Sequence, residues 1–302
     1  MTIEEFRRKI YKETQENPPK FNNKIQINEY LYNQTQKIVK YMEQMNVAAG
    51  IYEDSANKDE HSHFWEVLVG NTLLQSGLNI KRDTREAAPD YFFETENGIK
   101  IHIEAKAPTE GIIKELKPKG IHIVNGNELE EESDFEDCII TSDKCALRFT
   151  STLNETIKQI NGFYSKQTVN IKDKIVIAIN GSSVVKNQEI HEGDFPQGPM
   201  YYGFSIICAL FGLNGQQYYL PNEHLLVYDE KCLIKNDIEI QNRYFCDGNN
   251  TPIDGIIYSN VNERNYVMNY EKPFLFIPNP NREDIGNYFQ FCKNIGYPIR
   301  HV

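Results

Sequence analysis

The chain has 302 residues, 40% hydrophobic and 25% charged, with 32 basic side chains against 43 acidic ones and a formal net charge of −11. That composition is globular, with apolar material for one large core or two modest ones, and no apolar run reaches the roughly 18 residues of a membrane-spanning helix. The acidic balance argues against broad, sequence-independent binding to a phosphate backbone, although a local basic cleft remains compatible with it.

The opening Met1-Thr2-Ile3-Glu4-Glu5 lacks a basic patch followed by an apolar stretch, so no secretory signal is expected. Six cysteines at positions 138, 145, 208, 232, 246 and 292 form no CxxC pair. Scattered thiols of this kind suit a reducing, cytoplasmic compartment and give no support to a zinc site or a disulfide framework.

In chain order, Ile3, Phe6, Ile10 and Tyr11 recur at helical spacing until Asn17-Pro18-Pro19 stops them. A second helix is expected from about Ile27 to Met45, with Tyr30, Leu31, Ile38, Tyr41 and Met45 as apolar contacts. These two make an N-terminal helical extension, residues 1–57. A domain of residues 58–302 follows, with a core over 58–185 and an extension or insertion over 186–302. Its elements alternate: a helix at 63–75 closed by Ser76-Gly77, a short strand at 78–81, and a strand at 91–94. Asn97-Gly98 then turns the chain into a strand at 99–105, a hairpin signal. A helix over 147–164 and a buried strand over 174–180 complete an α/β core. Beyond it, strands are expected at 225–228, 255–258 and 274–277, and a closing helix over 282–294.

The chemistry concentrates in Pro89-Asp90-Tyr91-Phe92-Phe93 and Ile99-Lys100-Ile101-His102-Ile103-Glu104-Ala105-Lys106. The second strand alternates, so Lys100, His102, Glu104 and Lys106 share one face. Asp90 opens the partner strand. Carboxylates brought together from paired strands make a hard oxygen site suited to Mg²⁺ or Mn²⁺. Such an ion polarises a phosphoryl oxygen, and a neighbouring lysine can orient water or stabilise developing charge.

Pro-Asp, thirteen intervening residues and Glu-x-Lys resemble the signature of the PD-(D/E)xK, or restriction-endonuclease-like, nuclease superfamily over about residues 58–185. The likeness rests on the joint pattern, because Glu-x-Lys alone occurs by chance about once in a chain this long. Glu115-Leu116-Lys117 is such a chance copy, with no Pro-Asp upstream; Pro89-Asp90 is the sole Pro-Asp in the sequence. The resemblance implies a mixed sheet flanked by helices and a metal-dependent nuclease, with DNA ahead of RNA as substrate. Asp90 and Glu104 would bind the ion, with the Ala105 carbonyl as a further ligand, and Lys106 would serve the attacking water. In this superfamily the helix before the hairpin often supplies another acidic group. Glu66 matches that position and aligns with Val69, Gly70 and Leu73 on an apolar face. The helix after the hairpin often supplies a polar or basic residue, for which Arg148, Lys158 and Gln159 are candidates.

His102 shares the Glu104 face and could line the cleft or serve as an ordinary strand residue. His61 and His63 have no third ligand at a suitable spacing and read as a polar helix entrance. The run Glu128–Asp137 reads as a solvated loop, and Tyr201, Tyr202, Tyr218 and Tyr219 read as packing before base stacking. Lys81, Arg82, Arg85, Lys114, Lys117 and Lys119 give the hairpin a basic rim. A nuclease-fold binding or regulatory module without catalysis is the alternative function, and an effector or toxin with the same chemistry a third. A homodimer is compatible with the sequence.

Overall fold

A computed structural model of the chain describes residues 3–16, 24–52, 60–85, 87–109, 133–184, 204–211, 213–216, 227–230, 233–235, 238–240, 243–246, 250–262, 266 and 274–294. The protein is mixed α/β. Its chain divides into two compact units, each assembled from three separate stretches.

The first unit comprises Met1–Ala107, Gly162–Ser182 and Ser259–Phe274. It opens with the helices α1 (Ile3–Glu16), α2 (Lys24–Ala48) and α3 (Glu60–Gln75). Phe6 of α1 stacks on Tyr41 of α2 at 4.3 Å, and the Arg7 guanidinium lies over the Tyr266 ring. Buried Asn46 of α2 donates to the Val67 carbonyl of α3 at 3.0 Å. The N-terminal helices are therefore bonded into this unit by specific polar and aromatic contacts.

Four strands follow in spatial order: β1 (Lys81–Arg82), β2 (Tyr91–Glu94), β3 (Lys100–Lys106) and β4 (Lys174–Asn180). β1 and β2 run antiparallel, as do β2 and β3, whereas β3 and β4 run parallel, so the sheet is mixed. Tyr91 faces Ile103 in register, and Ile103 faces Val176. Pairing on both sides of β3 and a continuous apolar run in β4 are what a central sheet requires. Thr95–Gly98 forms the predicted turn, with Gly98 at a φ of 74°.

Helix α3 is buried continuously from Phe64 to Asn71, the pattern of a helix enclosed on most sides. The Trp65 indole donates to the Ala178 carbonyl of β4 at 2.9 Å and stacks on Phe274. The Tyr91 hydroxyl donates to the Glu66 carbonyl at 2.9 Å. That approach requires Gly70, because a Cβ there would lie 2.7 Å from the Tyr91 oxygen.

The second unit comprises Pro108–Asn161, Ser183–Tyr258 and Leu275–Val302. It holds most of α4 (Ser133–Ser165), α5 (Phe204–Phe211), and the strands β9 (Gly255–Ser259), β10 (Leu275–Pro278) and β11 (Lys293–Asn294). β9 pairs antiparallel with β10, and β10 pairs parallel with β11. Two separate ribbons join β5 (Leu213–Gln216) to β6 (Val227–Glu230), and β7 (Leu233–Lys235) to β8 (Ile238–Ile240). Phe149 of α4 meets the Tyr258 ring edge-on.

The expected closing helix over 282–294 is absent. Only a 3-10 turn, Gly286–Phe289, occupies it, followed by β11. The Asp284 carboxylate accepts from Gly286 N, Asn279 Oδ1 accepts from Asn281 N, and Arg282 donates to the Thr251 carbonyl. The first two are local side-chain bonds that hold backbone amides a helix would otherwise use. α4 begins at Ser133, well before the expected residue 147, so the end of the acidic run is helical. Residues 111–128 lie outside the described residues, as do the four tyrosines at 201, 202, 218 and 219. Among the described residues, no helix is long and apolar enough to cross a membrane.

Candidate active site

The site residues expected on the hairpin all fall in the first unit. Asp90 stands immediately before β2 and is half-buried. The register Tyr91 to Ile103 brings it alongside Glu104, and Asp90 Oδ2 accepts the Ala105 amide proton at 2.8 Å. The carboxylate is thus fixed against the peptide that joins Glu104 to Ala105. Glu104 is 4% exposed. It is flanked in register by Ile177 of β4, with Ile175 and Ile179 two residues to either side on the same face. Beside those isoleucines charges attract more strongly than in water. Lys106, two residues on and on the same face, donates from Nζ to Glu104 Oε1 at 2.5 Å.

His102 occupies the other side of Glu104 on that face and is buried. Its Nε2 lies 3.1 Å from Asp173 Oδ2, and its ring meets Phe92 at a tilt. Burial holds the His102 imidazole below its ordinary pKa, with Asp173 opposing the shift. Because a carboxylate only accepts, Nε2 is the donor to Asp173.

The loop before Asp90 is pinned at both ends. Arg85 grips Asp83 bidentately through the Nε–Nη2 edge of its guanidinium, and Nη2 also reaches the Thr168 carbonyl at 2.6 Å. The Thr168 hydroxyl donates in turn to the Ala87 carbonyl at 2.7 Å. Hydrogen bonding from Arg85 holds the Asp83 carboxyl below its ordinary pKa despite partial burial. The guanidinium and the turn together deliver buried Pro89, and hence Asp90, to the end of β2.

Glu66 is 4% exposed on α3. Its Oε1 lies 3.6 Å from Nη1 of Arg82 in β1, and Arg82 is the register partner of Tyr91. Burial pushes the Tyr91 phenol well above its usual range; the Asp90 charge adds to this and the Arg82 charge opposes it. Arg148, Lys158 and Gln159 lie on α4 in the second unit. Lys158 and Gln159 are exposed, and Arg148 donates to the Thr109 carbonyl at 2.6 Å. Of the expected basic rim, Arg82 and Arg85 are engaged by carboxylates, Lys81 is exposed, and Lys114, Lys117 and Lys119 lie outside the described residues.

Among the described residues, no three His, Cys, Asp or Glu side chains form a group that could hold a metal ion. A donor set of Asp90 and Glu104 still fits Mg²⁺, which is commonly held by one or two carboxylates with water and substrate oxygens around the rest of its shell. The buried, acceptor-only chemistry of Glu104 and the anchored Asp90 suit a hard cation in that sense.

Sequence reasoning undervalued two residues here. Arg82 was legible only as part of a basic rim, because its pairing with Glu66 depends on the β1–β2 register. Asp173 lies in a polar turn whose relation to His102 depends on the parallel alignment of β3 with β4. In comparisons with known proteins, the chain matches no family model, no curated protein and no solved structure.

Proposed function

We propose that the protein is a metal-dependent nuclease of restriction-endonuclease-like fold, hydrolysing phosphodiester bonds in DNA ahead of RNA. The observation that carries this reading is the joint placement of the Asp90 carboxylate on the Ala105 amide, beside Glu104 with Lys106 on its oxygen. Asp90 and Glu104 would hold Mg²⁺ or Mn²⁺, with the Ala105 carbonyl as a further oxygen; Glu66 of α3, ion-paired with Arg82, is the remaining candidate carboxylate, directly or through water. The ion would supply Lewis-acid stabilisation of charge on the phosphoryl oxygens. Lys106 directs its ammonium along the face that carries Glu104, where it can orient an attacking water or meet charge developing on the phosphorus oxygens. The hydrogen bond from the Ala105 amide fixes Asp90, so little reorganisation is needed at the moment of reaction.

A second reading, a binding or regulatory module without catalysis, is favoured by the lack of a three-donor group among the described residues and by the net charge of −11. Incubation with single-stranded DNA, double-stranded DNA and RNA, in Mg²⁺, Mn²⁺ or chelator, tests the two. Chelator-sensitive cleavage supports the nuclease and ranks its substrates. Absence of cleavage together with absence of Mn²⁺ binding supports the silent module.

A further inference from the structure

Arg82 is outside the motif that carries the nuclease reading, yet it stands against it. It pairs in register with Tyr91, the residue that follows Asp90, and its Nη1 approaches Glu66 Oε1 to 3.6 Å. The guanidinium also lies over the Tyr52 ring, 5.6 Å from its centroid. That platform is itself fixed. Tyr52 Oη lies 2.9 Å from His63 Nδ1, and His63 Nε2 lies 2.5 Å from Glu43 Oε1. A carboxylate only accepts, so Nε2 carries the proton that it donates to Glu43, while Nδ1 pairs with the Tyr52 hydroxyl. A chain of held groups therefore runs from Glu43 on α2 through His63 and Tyr52 to Arg82, and ends on Glu66.

An arginine at this distance has a direct consequence for a second cation. At 3.6 Å the two groups are ion-paired without a hydrogen bond between these atoms, and a buried carboxylate so paired is less available to a divalent ion, because the two positive charges compete for it. We propose that Arg82 is a positioning residue that withholds Glu66 from the ion bound by Asp90 and Glu104. The inference rests on the nuclease reading and extends it, since it assigns Arg82, Tyr52, His63 and Glu43 the setting of metal affinity. Tyr52 and its relay keep the guanidinium on Glu66 by limiting where it can swing.

The test is a Mn²⁺ titration of the full chain by calorimetry, run beside a thermal melt, for wild type, Arg82→Met, Arg82→Met with Glu66→Gln, and Tyr52→Leu. Arg82→Met is expected to bind Mn²⁺ roughly tenfold more tightly, the scale on which outer-shell partners alter metal affinity. The gain should vanish in the double variant, because it requires the freed Glu66 carboxylate. Tyr52→Leu removes the platform while retaining both charges, and a smaller gain is expected. This variant decides the matter if Arg82→Met fails to fold with its buried carboxylate uncompensated. Unchanged affinity in the folded variant, or a gain that persists without the Glu66 charge, overturns the inference and leaves the nuclease reading standing. If wild type and variants alike bind no Mn²⁺, the nuclease reading falls and takes the inference with it.

Discussion

Asp90 and Asp83 show how single side chains set this hairpin. The Asp90 carboxylate combines a main-chain hydrogen bond with a negative charge, and the two contributions can be separated. Asparagine retains an oxygen able to accept the Ala105 amide, so Asp90→Asn should melt within about 1 kcal/mol of wild type, the scale of one net hydrogen bond. Metal binding should nonetheless fall. A melting point far below wild type would mean that the charge, and not the hydrogen bond, holds the strand end. Asp83 acts one step earlier. Arg85 depresses its folded pKa below the ordinary 3.8, so folding gains stability from the ionised form. That gain is complete above the unfolded value and is lost as pH falls through the folded one. The melting-point difference between wild type and Asp83→Asn should therefore be largest near neutrality and shrink below about pH 4. A constant difference down to pH 2 would contradict the account. Strand alternation, a strict period of two, placed Glu104 and Lys106 on one face, whereas Asp90 was picked out by the Pro-Asp pattern that resembles the nuclease signature. The Asp83–Arg85–Thr168 anchor was not legible, because its partner lies 83 residues away in sequence from Arg85.

Among the elements, α3 and the hairpin carry the clearest cost of substitution. Gly70 lies inside a helix, where alanine alone would add up to about 1 kcal/mol of stability through propensity. Here a Cβ would meet the Tyr91 hydroxyl at 2.7 Å. That oxygen is buried and bonded to the Glu66 carbonyl. Displacing it costs about 1–3 kcal/mol by overpacking, with an orphaned hydrogen bond in addition. Gly70→Ala should thus lower the melting point, measurable by calorimetry, and a stabilised variant would show that Tyr91 can move aside. The sequence revealed the glycine but not its neighbour, which is why it read as part of an apolar helix face alone. Strands β2, β3 and β4 were legible from alternation, from the Asn97-Gly98 turn and from an unbroken apolar run. The 282–294 segment misled because Asn279 and Asp284 each accept a backbone amide two residues on, and apolar spacing does not register that competition. The short strand before the hairpin, expected over 78–81, begins three residues later and ends one later, since Leu78 and Ile80 look like strand residues while Lys81 and Arg82 make the pairs.

At the scale of the whole molecule, charge decides how nucleic acid could be approached. The chain carries −11 overall, and two of the three described rim cations are spent on Glu66 and Asp83. Few phosphates beside the hairpin can then be neutralised by the described rim side chains. DNA should bind weakly without metal, with a Kd no tighter than the 10⁻⁴–10⁻⁶ M range of non-specific complexes at roughly physiological salt. Gel-shift titration in chelator should show little retention, whereas a tight metal-free complex would imply a basic surface beyond the described residues. The mixed α/β class emerged from local periodicity and the candidate hairpin site from its resemblance to a nuclease signature, but the division into two units emerged from neither. Each unit is assembled from three stretches, and no linker composition marks where the chain passes between them. The most direct measurement is cleavage of labelled DNA in Mg²⁺ by wild type and Lys106→Ala prepared side by side. The account predicts chelator-sensitive cleavage by wild type and a loss of about a hundredfold or more in the variant; equal cleavage by both proteins would contradict it.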